Sequence, residues 1–153
     1  MKKGTIFSIS IRSDVERKKK EILEAIVLDS GIQGDGYSQE WGRQWGRQIS
    51  CLNLMSIMTE LKERNQMVVP GEYGENILVD GIDLFELNVG DRLILGEMVL
   101  LEVTQIGKER STIPVPKTVR MNLLSSEGVF CKVIKGGVIK KGHSIRVIEK
   151  YAR

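Results

Sequence analysis

The decapeptide Pro70-Gly71-Glu72-Tyr73-Gly74-Glu75-Asn76-Ile77-Leu78-Val79 crowds two carboxylates and an amide into a glycine-punctuated turn that runs into an apolar strand. Acids placed where a backbone stops bending can donate or accept protons, but acids and amides are also ordinary turn residues. General acid–base work would need a suitably placed histidine, a second carboxylate cluster or a nucleophile, and the chain offers none. Its single histidine, His143, follows a turn glycine and reads as a surface residue.

Three other stretches carry residue types with chemical potential. Gly31-Ile32-Gln33-Gly34-Asp35-Gly36-Tyr37 is dense in glycine, and such a loop can turn backbone N–H groups toward an anion or be a plain connection. It lacks the Lys-Ser/Thr ending of a P-loop, and no helix follows it as a dinucleotide fingerprint requires. Glu40 to Gln48 contains Trp-Gly-Arg-Gln twice, ending in Arg47 and Gln48. A planar guanidinium beside an amide suits an oxyanion or the edge of a pterin-like ring, and an exposed loop is the alternative. Gly107 to Met121 holds Lys108, Arg110, Lys117 and Arg120 with Pro114 and Pro116, a long basic loop.

Cys51 and Cys131 are the only cysteines and have no CxxC spacing, which together with the single histidine excludes a histidine or cysteine zinc site. Both cysteines lie on apolar faces and read as core residues. The formal charge of +3 is mild and much of the excess lies in Arg17-Lys18-Lys19-Lys20, a solvated run. Aromatic residues amount to 5%, too few for base-stacking surfaces, so nucleic acid is not an expected partner. No apolar run approaches the roughly 20 residues of a membrane span, and the start alternates too strictly for a signal peptide. A cytoplasmic protein with no membrane partner is expected.

Positioning these residues falls to short elements. With 153 residues, the chain is expected to form one domain spanning 1–153. Thr5 to Arg12 alternates, with Ile9 and Ile11 on one face and Ser8, Ser10 and Arg12 on the other, as a half-buried strand does. Asp14 to Leu28 is ambiguous between a helix capped by Asp14 and a basic linker leading to the strand Ile26-Val27-Leu28; the linker and strand are expected. Ser50 has the type of an N-cap, and Cys51, Leu54, Met55, Met58 and Leu61 follow at helical spacing, with Glu60 and Arg64 as an i,i+4 pair and Asn65 as the end. The methionines read as packing. Gly96-Glu97 predicts a two-residue hairpin loop between Arg92–Leu95 and Met98–Ile106, and Val129 to Ile148 reads as strands separated by tight turns, one at Gly136-Gly137. About seven strands and one clear helix predict a mainly β fold, a closed barrel.

Taken in order, Gly31-Ile-Gln-Gly-Asp35, Arg47-Gln-Ile-Ser50, Pro70-Gly-Glu-Tyr-Gly-Glu-Asn76, Gly81-Ile-Asp-Leu84, Val89-Gly-Asp-Arg-Leu93, Glu102-Val-Thr-Gln-Ile-Gly-Lys108 and Glu127-Gly-Val-Phe130 resemble the MOSC domain, the molybdenum cofactor sulfurase C-terminal domain. The resemblance spans nearly the whole chain and implies a MOSC-type β-barrel. It also implies binding of the molybdenum cofactor (molybdopterin) or handling of sulfur, with molybdenum-pathway proteins as partners. Longer relatives join this domain to a pyridoxal-phosphate module, but no pyridoxal phosphate is expected in this chain. Carried over residue by residue, the resemblance implies cofactor binding by Gly34, Asp35, Arg47, Gln48, Glu75, Asn76, Lys108 and Arg110. Arg47, Lys108 and Arg110 would meet phosphate, and Glu75 and Asn76 the pterin.

The chain departs from the family where small members place a cysteine after the Gly-Lys pair; here Lys108 is followed by Glu109-Arg110-Ser111-Thr112. Neither a guanidinium nor a hydroxyl replaces a thiolate as soft metal ligand or persulfide carrier. Tyr37 stands where relatives often have histidine, and the repeated Trp-Gly-Arg-Gln is a further departure. Binding without turnover is the first expectation. Sulfur transfer or molybdenum-dependent reduction through Cys131 or Cys51 is the second, and a non-catalytic, partner-binding barrel the third.

Overall fold

A computed structural model describes residues 2–13, 18–36, 46–107, 123–124 and 127–150. Lys108, Arg110 and the rest of the basic loop through 122, the first Trp-Gly-Arg-Gln copy and Tyr37 lie outside the described residues, as does the Arg64 side chain of the expected ion pair.

Eleven strands are described: β1 (Lys3–Ile11), β2 (Lys20–Ile22), β3 (Glu24–Leu28), β4 (Gly31–Ile32), β5 (Ile49–Asn53), β6 (Ile77–Asp80), β7 (Arg92–Leu95), β8 (Val99–Ile106), β9 (Val129–Lys135), β10 (Gly137–Lys140) and β11 (Ser144–Ile148). The helix α1 (Leu54–Arg64) lies between β5 and β6, and a 3-10 turn (Leu84–Glu86) follows β6. Seven strands close a barrel in the order β1-β6-β5-β9-β8-β7-β11, with β11 returning to β1. The expected mainly β barrel is thus the fold. β2 extends the sheet beyond β1, and β3, β4 and β10 form a separate three-stranded sheet.

Parallel pairing explains the helix. Among the described barrel pairs, β5 and β6 run parallel and the others antiparallel. Parallel neighbours cannot be joined by a tight hairpin and need a crossover, which α1 supplies. The barrel is filled by inward side chains, among them Ile9, Ile49, Cys51, Val79, Leu93, Leu101 and Val103. A second apolar cluster lies outside the wall, where Leu54, Ile57 and Leu61 of α1 pack on Leu52 and Leu78. The wall under α1 is therefore buried on both sides.

Several expectations change for that reason. Ile49–Asn53 is a strand with all five residues buried, so Ser50 caps no helix and Cys51 belongs to β5. Asn53 occupies the N-cap position instead. The buried stripe of α1 is Leu54, Ile57 and Leu61, while Met55 and Met58 face outward at 71% and 50% exposure. Asn65 does end the helix, in the left-handed region. In β1, Ser8 and Ser10 are as buried as Ile9, because the outer face is covered too. Asp14 to Leu28 yields two strands among its described residues, with Lys20 already inside β2. The β7–β8 loop has three residues, Leu95 pairing with Val99. Gly136 is no hairpin turn, since the chain leaves the barrel there and β10 pairs with β3. His143 is half-buried, and its Nδ1 accepts from the Lys140 N–H at 3.2 Å. Among the described residues no helix is long and apolar enough to cross a membrane.

The two packing stripes of α1 separate cleanly by substitution. Ile57→Ala removes a fully buried side chain and is expected to cost about 3 kcal/mol, whereas Met55→Ala should change stability by less than about 0.5 kcal/mol. Urea midpoints of the two variants check this; equal losses would contradict the assigned buried face.

Candidate functional site

The Pro70–Asn76 turn folds inward. Glu75 is fully buried and bends its carboxylate back into its own turn, accepting from the Gly71 N–H at 2.7 Å and the Tyr73 N–H at 3.1 Å. Gly71 sits at φ 86°, and a Cβ added there would lie 2.6 Å from the Lys19 carbonyl oxygen. The turn can thus press against the Lys19 backbone only with glycine at that point.

Asn76 follows at the start of β6. Its Oδ1 accepts from the Ser50 N–H at 3.0 Å and from Ser50 Oγ at 3.2 Å. Its Nδ2 donates to the Ser10 carbonyl at 3.0 Å and to Asp35 Oδ2 at 3.1 Å. Those four bonds use the whole capacity of a primary amide. Asp35 is fully buried, and its Oδ1 accepts from the Arg12 N–H at 2.9 Å and from Lys19 Nζ at 3.0 Å. The Lys19 side chain is 7% exposed, and burial lowers its pKa against the opposing pull of Asp35. Gly34, at φ 87° and exposed, turns the chain into Asp35.

A second group adjoins the first on the same wall. Ser50 pairs across strands with Phe130, and Phe130 with Gln105, so the three side chains share one face of the sheet. The Arg47 guanidinium lies 5.7 Å from the Phe130 ring centroid, and its Nε donates to Gln105 Oε1 at 2.7 Å. Gln105 Nε2 in turn donates to the Gly107 carbonyl at 2.7 Å. Arg47 is thereby tied to the residue that immediately precedes Lys108. Gln48 is a cross-brace, its Nε2 donating to the Asp29 carbonyl at 3.0 Å and its Oε1 accepting from the Val133 N–H at 2.6 Å.

Of the eight residues singled out from the sequence, Asp35 and Asn76 meet in one buried hydrogen-bonded network, Glu75 adjoins it in the next turn and acts on the shared Lys19 through charge, and Gly34 lies at its edge. Arg47 and Gln48 lie along the adjoining strip, and Lys108 and Arg110 are outside the described residues. The network also contains Lys19, Ser10 and Ser50, which sequence reasoning missed. Lys19 sits in a basic run that looks solvated, and the serines lie in strands whose second buried face was not evident.

The two cysteines, 1% and 0% exposed, lie inside the barrel on neighbouring strands β5 and β9. A hydrogen bond with Cys51, reinforced by burial, pushes the Cys131 thiol well above the usual range. Neither thiol is presented to a reactant in this conformation. Among the described residues no three His, Cys, Asp or Glu side chains are grouped as metal ligands would be.

The backbone resembles several solved structures. The YuaD protein from Bacillus subtilis matches with a TM-score of 0.70 at 18% identity, covering 97% of each chain. YiiM from Geobacillus stearothermophilus matches at 0.68 and 17% identity over 96% of this chain and 76% of its own. YiiM from Escherichia coli matches at 0.61 and 18% identity over 97% and 72%. YiiM is a MOSC-domain protein, and the likeness supports a MOSC-like fold. No family model matches the chain, and no curated protein matches it in sequence.

Burial gives Glu75 a measurable signature. Removal from water raises its pKa from 4.5 to about 7, despite the backbone N–H groups of Gly71, Glu75 and Tyr73 and the Lys19 charge that pull it down. The folded value lies above the unfolded one, so the stability tied to the protonated form is complete below about pH 4.5 and is lost as pH rises through 7. The fold should lose about 2–3 kcal/mol from this group between pH 5 and pH 8. Glu75→Gln should remove that part of the slope, as read from urea midpoints across the same range. An unchanged slope would show that Glu75 does not titrate there.

Proposed function

We propose that this MOSC-like barrel is a binding protein for an anionic pterin cofactor of the molybdopterin type, with Arg47 anchoring the cofactor's phosphate. One observation carries the reading. Arg47 is held through its Nε by Gln105 and stacked over Phe130, which leaves its two amino groups as the forward donors of a fixed guanidinium fork. Gln105 is in turn fastened to the Gly107 carbonyl, so this fork lies at the root of the segment that carries Lys108 and Arg110. A third and fourth donor to the same phosphate are thus close in sequence.

The residues fit the anionic end of the cofactor and not its metal end. When bound, such a cofactor supplies a molybdenum centre for oxygen-atom or sulfur chemistry. A thiolate from this chain to that metal is not at hand, because Cys51 and Cys131 point into the filled barrel and Glu109-Arg110 occupies the family's cysteine position. Glu75 and Asn76 spend their hydrogen-bonding capacity on Gly71, Tyr73, Ser10, Ser50 and Asp35. Their role in this reading is to fix the wall beneath the site, in place of direct pterin contacts. The chemistry assigned to the chain is recognition and orientation, without a covalent step.

Anaerobic titration of the purified protein with molybdopterin tests the proposal. Binding in the micromolar range is expected, weakened about tenfold or more by Arg47→Ala with the urea midpoint nearly unchanged. No binding at micromolar concentration would sink it and favour a barrel that serves only protein partners. Incubation with a cysteine desulfurase followed by intact-mass measurement should leave both thiols unmodified. Persulfide on Cys51 or Cys131 would instead revive sulfur transfer.

A further inference from the structure

The phosphate anchor leaves one buried acid without a part in recognition. Glu75 is fully buried, and its two oxygens meet the Gly71 and Tyr73 N–H groups of its own turn. Among the described residues no cation forms an ion pair with it. Lys19 acts on it through charge, but the Lys19 Nζ hydrogen-bonds both carboxylate oxygens of Asp35, at 3.0 and 3.1 Å. One buried ammonium thus stands among two buried carboxylates, and Glu75 is the one it does not bond. A carboxylate taken from water without a counter-ion is more stable as the neutral acid.

The charged groups around Glu75 come from several elements. Lys19, just ahead of β2, favours the ionised form. Asp35, in the loop after β4, is the salt-bridge partner of Lys19, and the Arg12 charge past the end of β1 also acts on Lys19. Glu72 and Tyr73 share the turn itself. Burial outweighs the groups that favour ionisation and brings Glu75 to about 7.

The same wall carries the anion anchor. Asn76, next to Glu75, accepts from the Ser50 N–H of β5, Ser50 pairs with Phe130 of β9, and the Arg47 guanidinium stands 5.7 Å from the Phe130 ring centroid. Neighbouring strands lie about 4.8 Å apart, which puts an anion held by Arg47 on the order of 10–15 Å from the Glu75 carboxylate. Asn76, Ser50 and Phe130 fill the interval at 2%, 6% and 2% exposure. Little water separates the two charges, so screening along this path is weaker than between surface charges at the same separation.

Resting on the reading of Arg47 as an anion anchor, we propose that anion binding by this barrel is proton-linked through Glu75: the neutral acid favours the bound anion, and the ionised carboxylate opposes it through the wall. Linkage is reciprocal, so a bound anion draws a proton onto Glu75. Occupancy of the site falls as pH rises through 7. Arg47 keeps its charge throughout and cannot itself be the group that senses pH.

The test titrates sulfate and, anaerobically, molybdopterin into the whole protein at pH 6 and pH 8, with the 13Cζ resonance of Arg47 as reporter. Sulfate keeps its charge over this range, so its affinity follows the protein's own titration. Wild type should bind sulfate about two- to fivefold more weakly at pH 8 than at pH 6, and Glu75→Gln should bind it equally at both. Molybdopterin carries a phosphate that gains charge near pH 6, so the wild-type ratio of pH 6 to pH 8 affinity should exceed that of Glu75→Gln by about the same factor. Calorimetry of wild type with sulfate at pH 7, in two buffers of different ionisation heat, needs no variant and should show fractional proton uptake. Equal wild-type sulfate affinities at the two pH values, a pH dependence retained in Glu75→Gln, or zero proton uptake would overturn the proton link alone. The expected sulfate behaviour without molybdopterin binding would support the link and overturn the cofactor reading. Binding of neither probe would overturn both.

Discussion

The Asn76 side chain is the constraint on which the rest of the candidate site rests. One buried amide holds Ser10 of β1, Ser50 of β5 and Asp35 of the loop after β4, so three separate stretches are fixed relative to the start of β6. The consequences propagate through charge. Asp35 is buried as an acid and needs a counter-ion, Lys19 meets that need by being drawn in from a basic run, and Gly71 is required where the turn must press on the Lys19 backbone. A buried polar network of this kind is valuable when every member is satisfied and expensive when one is missing, which ties loops that would otherwise drift to the rigid wall.

A small barrel filled by its own side chains has no lumen in which to work. Whatever chemistry the chain performs must occur on the outer wall or between the wall and the elements laid upon it. That is where the polar network and the Arg47 strip lie. It also explains the fate of the cysteines: with Ile49, Val103 and Val129 as neighbours in the packed interior, they are small hydrophobes with sulfur in them.

Legibility from sequence followed exposure. The strand at Thr5–Arg12, though not its half-burial, and the end of the helix at Asn65 were readable, because one depends on a period of two and the other on a local backbone preference. Ile49–Asn53 was misread as the start of a helix because both its faces are buried, which erases the alternation and leaves Ser50 and Cys51 to be counted with Leu54. The helical stripe was placed on the wrong methionines for a related reason: Leu54 and Leu61 belong to it, and Ile57 sits beside Met58, so two faces satisfied the same spacing. At the site, the residue types of Glu75 and Asn76 were legible and their direction was not. Asn76 finds its partners 26, 41 and 66 positions away in the chain, and no local pattern encodes such distances.

The barrel's closing seam joins strands from opposite regions of the sequence, Lys3 against Arg146 and Thr5 against Ser144. During synthesis β11 emerges long after β1, so the wall stands open along that seam until the chain as far as Ile148 has left the ribosome. Closure is therefore a late event with a large loop-closure entropy, and a slow one by the usual relation between contact separation and rate. Until then the main-chain donors and acceptors at the start of β1 are an unpaired edge, the place where a nascent chain of this protein would be exposed to pairing with a neighbour and where a chaperone's protection would matter most.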